Sequence, residues 1–278
     1  MRRALAEDRV TDDVTTPLLG AAAHALAAGR FVAEGDCVVA GLPLAALVFG
    51  ELEPGAAFLP RLSDGDRAAA GTVLAAVTAR AGTLLAGERV ALNFLQRLSG
   101  IATLTRRVVD AVAGTGARIT HTRKTTPGLR DLERYAVRMG GGVDNRGSLA
   151  EAVMWKDNHW VLLGSGKQGA GSGLKEMLAR APKGVGIVVE VETDAQLDDA
   201  LAAGATHILA DNQPPERVAA WSRRAGKGVT MQASGGITAE TAAAYARAGA
   251  HLISIGALTH SAPAAAIRFE LEGPSPAP

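Results

Sequence analysis

The chain has 278 residues and a formal net charge of +1 at pH 7; 47% of it is hydrophobic and only 4% aromatic. That is enough apolar material for one large domain or two modest ones, and near neutrality argues against a general nucleic-acid binder, which needs a basic excess. Cys37 is the only cysteine, so no disulfide can form within the chain and no cysteine cluster can hold zinc. Met1–Val10 has no apolar leader core. The apolar stretch 21–49 is interrupted by Arg30, Glu34 and Asp36. No membrane span of about 20 residues fits, and the cytoplasm is the expected compartment.

Residues 1 to about 100 mix short strands with helices. Phe31–Leu42 and Gly71–Thr78 read as strands, Asp64-Gly65-Asp66 as a turn, and Leu84–Val109 as a long amphipathic helix or a helix pair broken near Ser99-Gly100. From about residue 117 strand and helix alternate. Apolar runs fall at 117–120, 152–155, 186–191, 207–210, 229–233 and 252–255, with a further short strand around 140–145. Helices are expected at 194–203, 216–224 and 239–247. Thr193 and Thr238 suit N-caps, and Gly204 and Gly249 suit helix ends. Seven parallel strands at this spacing point to an α/β barrel about one strand short of the usual eight, with an open doubly wound sheet as the alternative.

In such a barrel, chemistry sits at the C-terminal ends of the strands. Those ends carry Arg123 and Lys124, Asn145 and Arg146, Lys156-Asp-Asn-His159, Glu190 and Glu192, Asp211-Asn212, Ser234-Gly235-Gly236, and Gly256-Ala257. Any one of these tips is explained as readily by turn or cap chemistry; their repetition one βα unit apart is not. Ser-Gly-Gly and Gly-Ala before the last helices suit close backbone approach to a phosphate. Between Arg118 and Lys156, eight basic residues face four acidic ones. Arg130, Arg134 and Arg138 at helical spacing read as a solvated face, whereas Arg123, Lys124, Arg146 and Lys156 at strand ends suit a ligand with several negative charges. Glu190 and Asp211 suit sugar hydroxyls or Mg²⁺.

Several strings resemble the quinolinate phosphoribosyltransferase family: Asp13-Val-Thr-Thr16, Glu88-Arg-Val-Ala-Leu-Asn93, Thr122-Arg-Lys-Thr-Thr-Pro-Gly128, Gly140-Gly-Gly142, Lys156-Asp-Asn-His159, Ser234-Gly-Gly-Ile-Thr238 and Gly256-Ala-Leu-Thr-His260. The resemblance covers about residues 10 to 262. It implies an N-terminal α/β sandwich domain (1–105, joined by the tail 263–278) and an incomplete α/β barrel (106–262). It also implies a homodimer with shared sites, and transfer of phosphoribosyl from 5-phosphoribosyl 1-pyrophosphate to quinolinate, with Mg²⁺, giving nicotinate mononucleotide, pyrophosphate and CO₂. By that resemblance Arg123, Arg146 and Lys156 hold the pyridine carboxylates, with Arg89 reaching in from a partner subunit. Lys124 contacts the pyrophosphate or ribose, Glu190 and Asp211 bind ribose and metal, and Ser234, Gly235, Gly236, Gly256 and Ala257 hold the 5′-phosphate, with His260 close by.

Three positions depart from the pattern. Asn145 stands where the family usually has His, Val188 where it often has Glu, and Trp155 replaces an aliphatic residue before Lys156. Loss of the His weakens the expected grip on one carboxylate, and Trp155 either narrows the pocket or packs into the helix–sheet core. A paralogue acting on another heteroaromatic acid is the alternative enzyme. A non-catalytic sensor of a phosphoribosyl ligand is the alternative from another class, opposed by the retained Arg123, Lys124, Lys156, Glu190 and Asp211.

Overall fold

The computed structural model describes residues 1–162 and 170–272; the end of the tail, 273–278, lies outside the described residues. The chain forms two units. The first comprises Met1–Leu104, Arg138–Gly140 and the chain from Ala262 onward, the second Thr105–Val137 and Gly141–Ser261.

In the first unit, helix α1 (Arg2–Glu7) precedes β1 (Leu26–Ala33), β2 (Cys37–Val38), α2 (Leu42–Leu52), β3 (Ala57–Pro60), β4 (Arg67–Ala68), β5 (Val73–Arg80) and α3 (Ala81–Ala111). The last described strand, Ile267–Glu272, completes an antiparallel sheet with β1, β5 and β3; β2 pairs with β4. Alternate residues of β1 and β5, Ala27, Phe31 and Ala33 with Ala75, Val77 and Ala79, face one core that also takes Phe49 from α2 and Leu84 and Leu95 from α3. Phe31 lies 4.9 Å from Phe269 and 6.1 Å from Phe49, ring centre to ring centre.

One expectation fails here, and one alternative is decided. The strand expected over 31–42 is broken: Glu34-Gly35-Asp36 turns the chain, and Pro43, whose fixed φ suits a first helical turn, sits at the start of α2. The Asp64 carboxylate caps that helix by accepting the N–H groups of Gly41 and Leu42 at 2.7 and 3.1 Å. Of the two readings of 84–109, the single long helix holds: α3 runs unbroken through Ser99-Gly100. Ser99 Oγ bonds the backbone of Ala40, and Gly100 faces the Pro263 carbonyl so closely that a Cβ would collide with it. The glycine serves close approach, not a break.

The second unit alternates β6 (Arg118–Thr120), α4 (Arg130–Met139), β7 (Ala152–Trp155), α5 (Asp157–Leu162), α6 (Ala170–Ala179), β8 (Gly186–Val191), α7 (Asp194–Ala202), β9 (His207–Asp211), α8 (Pro215–Ala225), β10 (Thr230–Ser234), α9 (Ala239–Arg247), β11 (Leu252–Ser254) and α10 (Ala257–His260). The strands form one parallel sheet in the order β6-β11-β10-β9-β8-β7. Thr193 and Thr238 cap α7 and α9 with reciprocal bonds to Gln196 and Thr241, and Gly204 and Gly249 follow α7 and α9 at φ +86° and +93°.

The expected strand at 140–145 is reduced to one bridge, Val143 to Thr120. Gly141 at φ +90° and the bond from Gly142 N–H to the Val137 carbonyl turn the chain out of α4, leaving only Val143 in register. This extends the sheet past β6. Strands β7 to β11 follow one another in chain order and β11 then pairs with the first, β6, as in an α/β barrel and unlike a doubly wound sheet, whose order reverses at a switch point; among the described residues no ladder joins Val143 to β7, so the barrel is open.

Candidate active site

Strand register assembles the site. Thr120, Ser254, Ser234 and Asp211 lie side by side across β6, β11, β10 and β9, and Trp155 pairs with Val189, which brings Lys156 next to Glu190. A cleft of about 440 Å³ at these strand ends is lined by Arg123, Lys124, Asn145, Arg146, Lys156, Glu190, Asp211 and Ser234, all expected from the sequence. It is also lined by Thr122, Met154, Asp157, Leu209 and Ser254.

Lys156 donates from Nζ to Glu190 Oε2 at 2.7 Å. Glu190 is 5% exposed, and burial pushes its carboxyl above the usual range, a rise that Lys156 opposes. Its backbone carbonyl accepts from Trp160 Nε1 at 2.8 Å. On the other wall, Arg146 donates from Nη1 to the Ala152 carbonyl at 3.1 Å. Its basicity is lowered by burial and by the neighbouring Arg123. The Nε atoms of both Arg123 and Arg146 are buried without a hydrogen-bond partner. Two like charges beside each other, each with an unpaired buried donor, are costly unless an anion satisfies them.

Of the residues expected to hold a phosphate only Ser234 lines the cleft; Gly235, Gly236, Gly256 and Ala257 follow the strand ends beside it. Gly235 and Gly236 take φ +93° and +61° in succession, and a Cβ on Gly235 would strike Asn212. Among the described residues nothing accepts the N–H of Gly235 or Gly236. Asn212 Nδ2 donates to Asp211 Oδ2 at 2.7 Å and steadies that carboxylate. Past β11, a Cβ on Gly256 would lie 3.2 Å from Lys124 Cδ and 3.0 Å from His260 Nε2, so the missing side chain leaves room for the lysine stem. Ala257 follows as the first residue of α10. Arg89 belongs to the first unit, exposed on α3.

The departures resolve by side. Met154 and Lys156 face the cleft. Trp155, between them, faces the other way, its ring 5.0 Å from His159 and 6.1 Å from Trp160. Trp155 therefore does not narrow the pocket. Val188 is buried on the same strand face as Glu190 but does not line the cleft. Asn145 lines it with its amide committed to backbone: Nδ2 donates to the His121 carbonyl at 3.3 Å, and Oδ1 accepts from Arg146 N–H at 2.8 Å.

Sequence reasoning passed over the residues that hold these groups. His121, fully buried with its basicity lowered by burial, accepts the Asn145 N–H at Nε2. Buried Glu133 accepts from the N–H and hydroxyl of Thr126 at 3.0 and 2.8 Å, fixing the loop after Lys124. Thr259 donates to the Lys124 carbonyl at 2.7 Å. Helical spacing places Glu133 on α4, but no local signal marks its turn partner.

The open barrel and this cleft, with Arg123, Lys124, Arg146 and Lys156 around the acids Glu190 and Asp211 at the strand ends, define a class: α/β-barrel proteins with a charged cleft at the carboxyl ends of the strands. Residues 101–270 match the family model for the quinolinate phosphoribosyl transferase C-terminal domain and residues 13–99 that for its N-terminal domain. The chain belongs to that family. It is 42% identical over 267 residues to the nicotinate-nucleotide pyrophosphorylase [carboxylating] of Mycobacterium leprae, covering 94% of this chain and 92% of the relative. Among solved structures it resembles the nicotinate-nucleotide pyrophosphorylase of Ehrlichia chaffeensis (TM-score 0.90, 32% identity, 98% of this chain and 97% of the other). It also resembles NadC from Streptococcus pyogenes (TM-score 0.89, 35% identity, 98% and 94%).

Proposed function

We propose that the chain transfers phosphoribosyl from 5-phosphoribosyl 1-pyrophosphate to quinolinate with loss of CO₂, giving nicotinate mononucleotide and pyrophosphate for NAD synthesis. The observation that carries this reading is the pair of unpartnered buried donors on Arg123 and Arg146 facing the Lys156–Glu190 pair. A diacid satisfies those donors, and a phosphorylated sugar satisfies the free N–H groups of Gly235 and Gly236.

In this reading Arg123, Arg146 and Lys156 grip the two carboxylates, and Asn145 holds Arg146 in place. Ser234, Gly235, Gly236, Gly256 and Ala257 take the 5′-phosphate, which leaves Lys124 at the pyrophosphate side. Glu190 and Asp211 bind the ribose hydroxyls. Holding the pyridine nitrogen against the ribose carbon converts an encounter into an oriented displacement. As the nitrogen bonds to the ribose carbon, pyrophosphate leaves that carbon with the bonding pair and the ring becomes cationic. The cationic ring then stabilises the electron pair left on its carbon as the 2-carboxylate departs as CO₂, and that carbon takes a proton from solvent. The fixed cations neutralise the departing pyrophosphate.

Mg²⁺ fits Glu190 and Asp211 as a partly hydrated ion shared with substrate oxygens. Among the described residues no group of three or more His, Cys, Asp or Glu is placed to hold a metal alone, and Mg²⁺ favours one or two carboxylates plus phosphates. When bound it supplies charge neutralisation for the leaving pyrophosphate. The assembly we favour is a cytoplasmic homodimer in which Arg89 of one subunit completes the other's site. Among the described residues, no helix is long and apolar enough to cross a membrane.

The test is direct: purified protein, Mg²⁺, 5-phosphoribosyl 1-pyrophosphate and quinolinate, followed by release of CO₂ and nicotinate mononucleotide. Turnover supports the reading. A folded protein that binds the donor and leaves quinolinate untouched overturns the choice of acceptor.

A further inference from the structure

Three polar side chains run through the interior of the barrel beneath the cleft. His207 on β9 contacts Gln232 on β10, Nε2 to Oε1 at 2.7 Å, and Gln232 Nε2 donates to Ser254 Oγ on β11. Gln232 is fully buried and Ser254 is 3% exposed, yet Ser254 lines the cleft. Burial lowers the basicity of His207, which keeps the ring neutral near pH 7. A neutral ring facing a carbonyl oxygen carries its proton on Nε2. The chain therefore has one direction: imidazole N–H to amide carbonyl, then amide N–H to hydroxyl oxygen.

A serine hydroxyl has one proton to give and two lone pairs to accept with. Since Ser254 Oγ already accepts from Gln232, its own proton is left over. Among the described residues nothing takes it. The hydroxyl of Thr120, its register partner on β6, is itself buried without a partner. Ser254 stands between Ser234 on β10 and Thr120 on β6 in register and two residues before Gly256, beside two of the residues read as phosphate-binding.

We infer that Ser254 is a binding residue for the phosphorylated sugar, its hydroxyl donating into the cleft, with Gln232 and His207 as positioning residues that set the direction of that donor. This rests on the proposed reaction for the identity of the ligand, 5-phosphoribosyl 1-pyrophosphate, but not for the geometry.

The experiment is calorimetric titration of wild type, Ser254→Ala and Gln232→Glu with 5-phosphoribosyl 1-pyrophosphate and Mg²⁺, together with separate KM values for donor and quinolinate and a melting curve for each protein. Ser254→Ala is expected to weaken donor binding and raise donor KM by about tenfold or more, as for loss of a hydrogen bond to a charged group. The quinolinate KM should stay near wild type, and the melting temperature should fall by only a few degrees as the Gln232 amide N–H loses its acceptor. Gln232→Glu keeps the hydroxyl but turns it round, because a carboxylate accepts the Ser254 proton, and should weaken the donor likewise. Unchanged donor affinity in Ser254→Ala overturns the inference. So does a folded Gln232→Glu that binds like wild type, since the amide must then already present its carbonyl to Ser254. If Gln232→Glu does not fold, Ser254→Ala decides alone. A wild-type protein that binds donor but makes no product from quinolinate overturns the proposed reaction and leaves the Ser254 result standing; one that does not bind donor overturns both.

Discussion

Lys156 and Glu190 act as a pair, because each sets the charge the other needs. Removing the ammonium strands a buried carboxylate and strips the cleft of a cation aimed at the acceptor. Lys156→Ala should lower kcat by about a hundred- to a thousandfold and lower the melting temperature as Glu190 loses its partner, with the fold kept; wild-type activity in that variant would sink the site assignment. The raised carboxyl of Glu190 predicts a pH dependence. Its ionised form, the one that pairs with Lys156, is lost as pH falls through a pKa above the usual glutamate range. The acid limb of kcat/KM should therefore lie above that range and vanish in Glu190→Gln. The buried histidines act on stability instead. His121 and His207 have folded-state pKa values below the unfolded value of about 6.5, so the unfolded chain binds protons first as pH falls. Melting temperature should begin to drop just below about pH 6.5, before the carboxylates titrate, and His207→Gln should flatten that slope.

At the scale of elements, the strand tips and helix caps were legible because each is local. An apolar run ending in a polar residue, or a Thr before a helical period, carries its meaning within a few positions. Trp155 was legible in principle as well: alternation along β7 puts it opposite its neighbours Met154 and Lys156, and the structure follows that alternation. What could not be read were pairings set by register between distant strands. Gln232 sits between Thr230 and Ser234 on one face of β10 and Ser254 ends β11, and nothing near either announces the other. The role of Gly100 was hidden for the same reason, since its partner, the Pro263 carbonyl, is remote in sequence. Gly100→Ala should cost about 1–3 kcal/mol, as overpacking against backbone outweighs the gain in helix propensity. Denaturant unfolding checks it; a stabilised variant would show that α3 can move away.

For the whole molecule, the proposed sharing of sites makes a prediction that no single chain can meet. Arg89→Ala and Lys156→Ala should each be nearly inactive alone. Mixed and allowed to exchange, they should regain about a quarter of wild-type activity, because half the dimers are hybrids with one intact site. Failure of mixing, where sedimentation shows dimers that exchange, would place Arg89 outside the site.

The gap between Val143 and β7 bears on timing. Across it the chain is held by side chains: Glu151 accepts the Gly147 N–H at 2.8 Å, and Arg130 donates to the Gly147 carbonyl at 2.9 Å. A backbone secured this way can open without unzipping a ladder, so its amide protons should exchange with deuterium sooner than those of β8 to β11. Arg146 rides on that segment, whereas Asp211 and Ser234 sit on the ladder. On the proposed roles, this predicts a sugar-phosphate half that stands as a ready mould and an acid-gripping half that is finished only when its guest arrives. Slower exchange over 144–150 on adding the diacid, with β9 and β10 unchanged, would record that order.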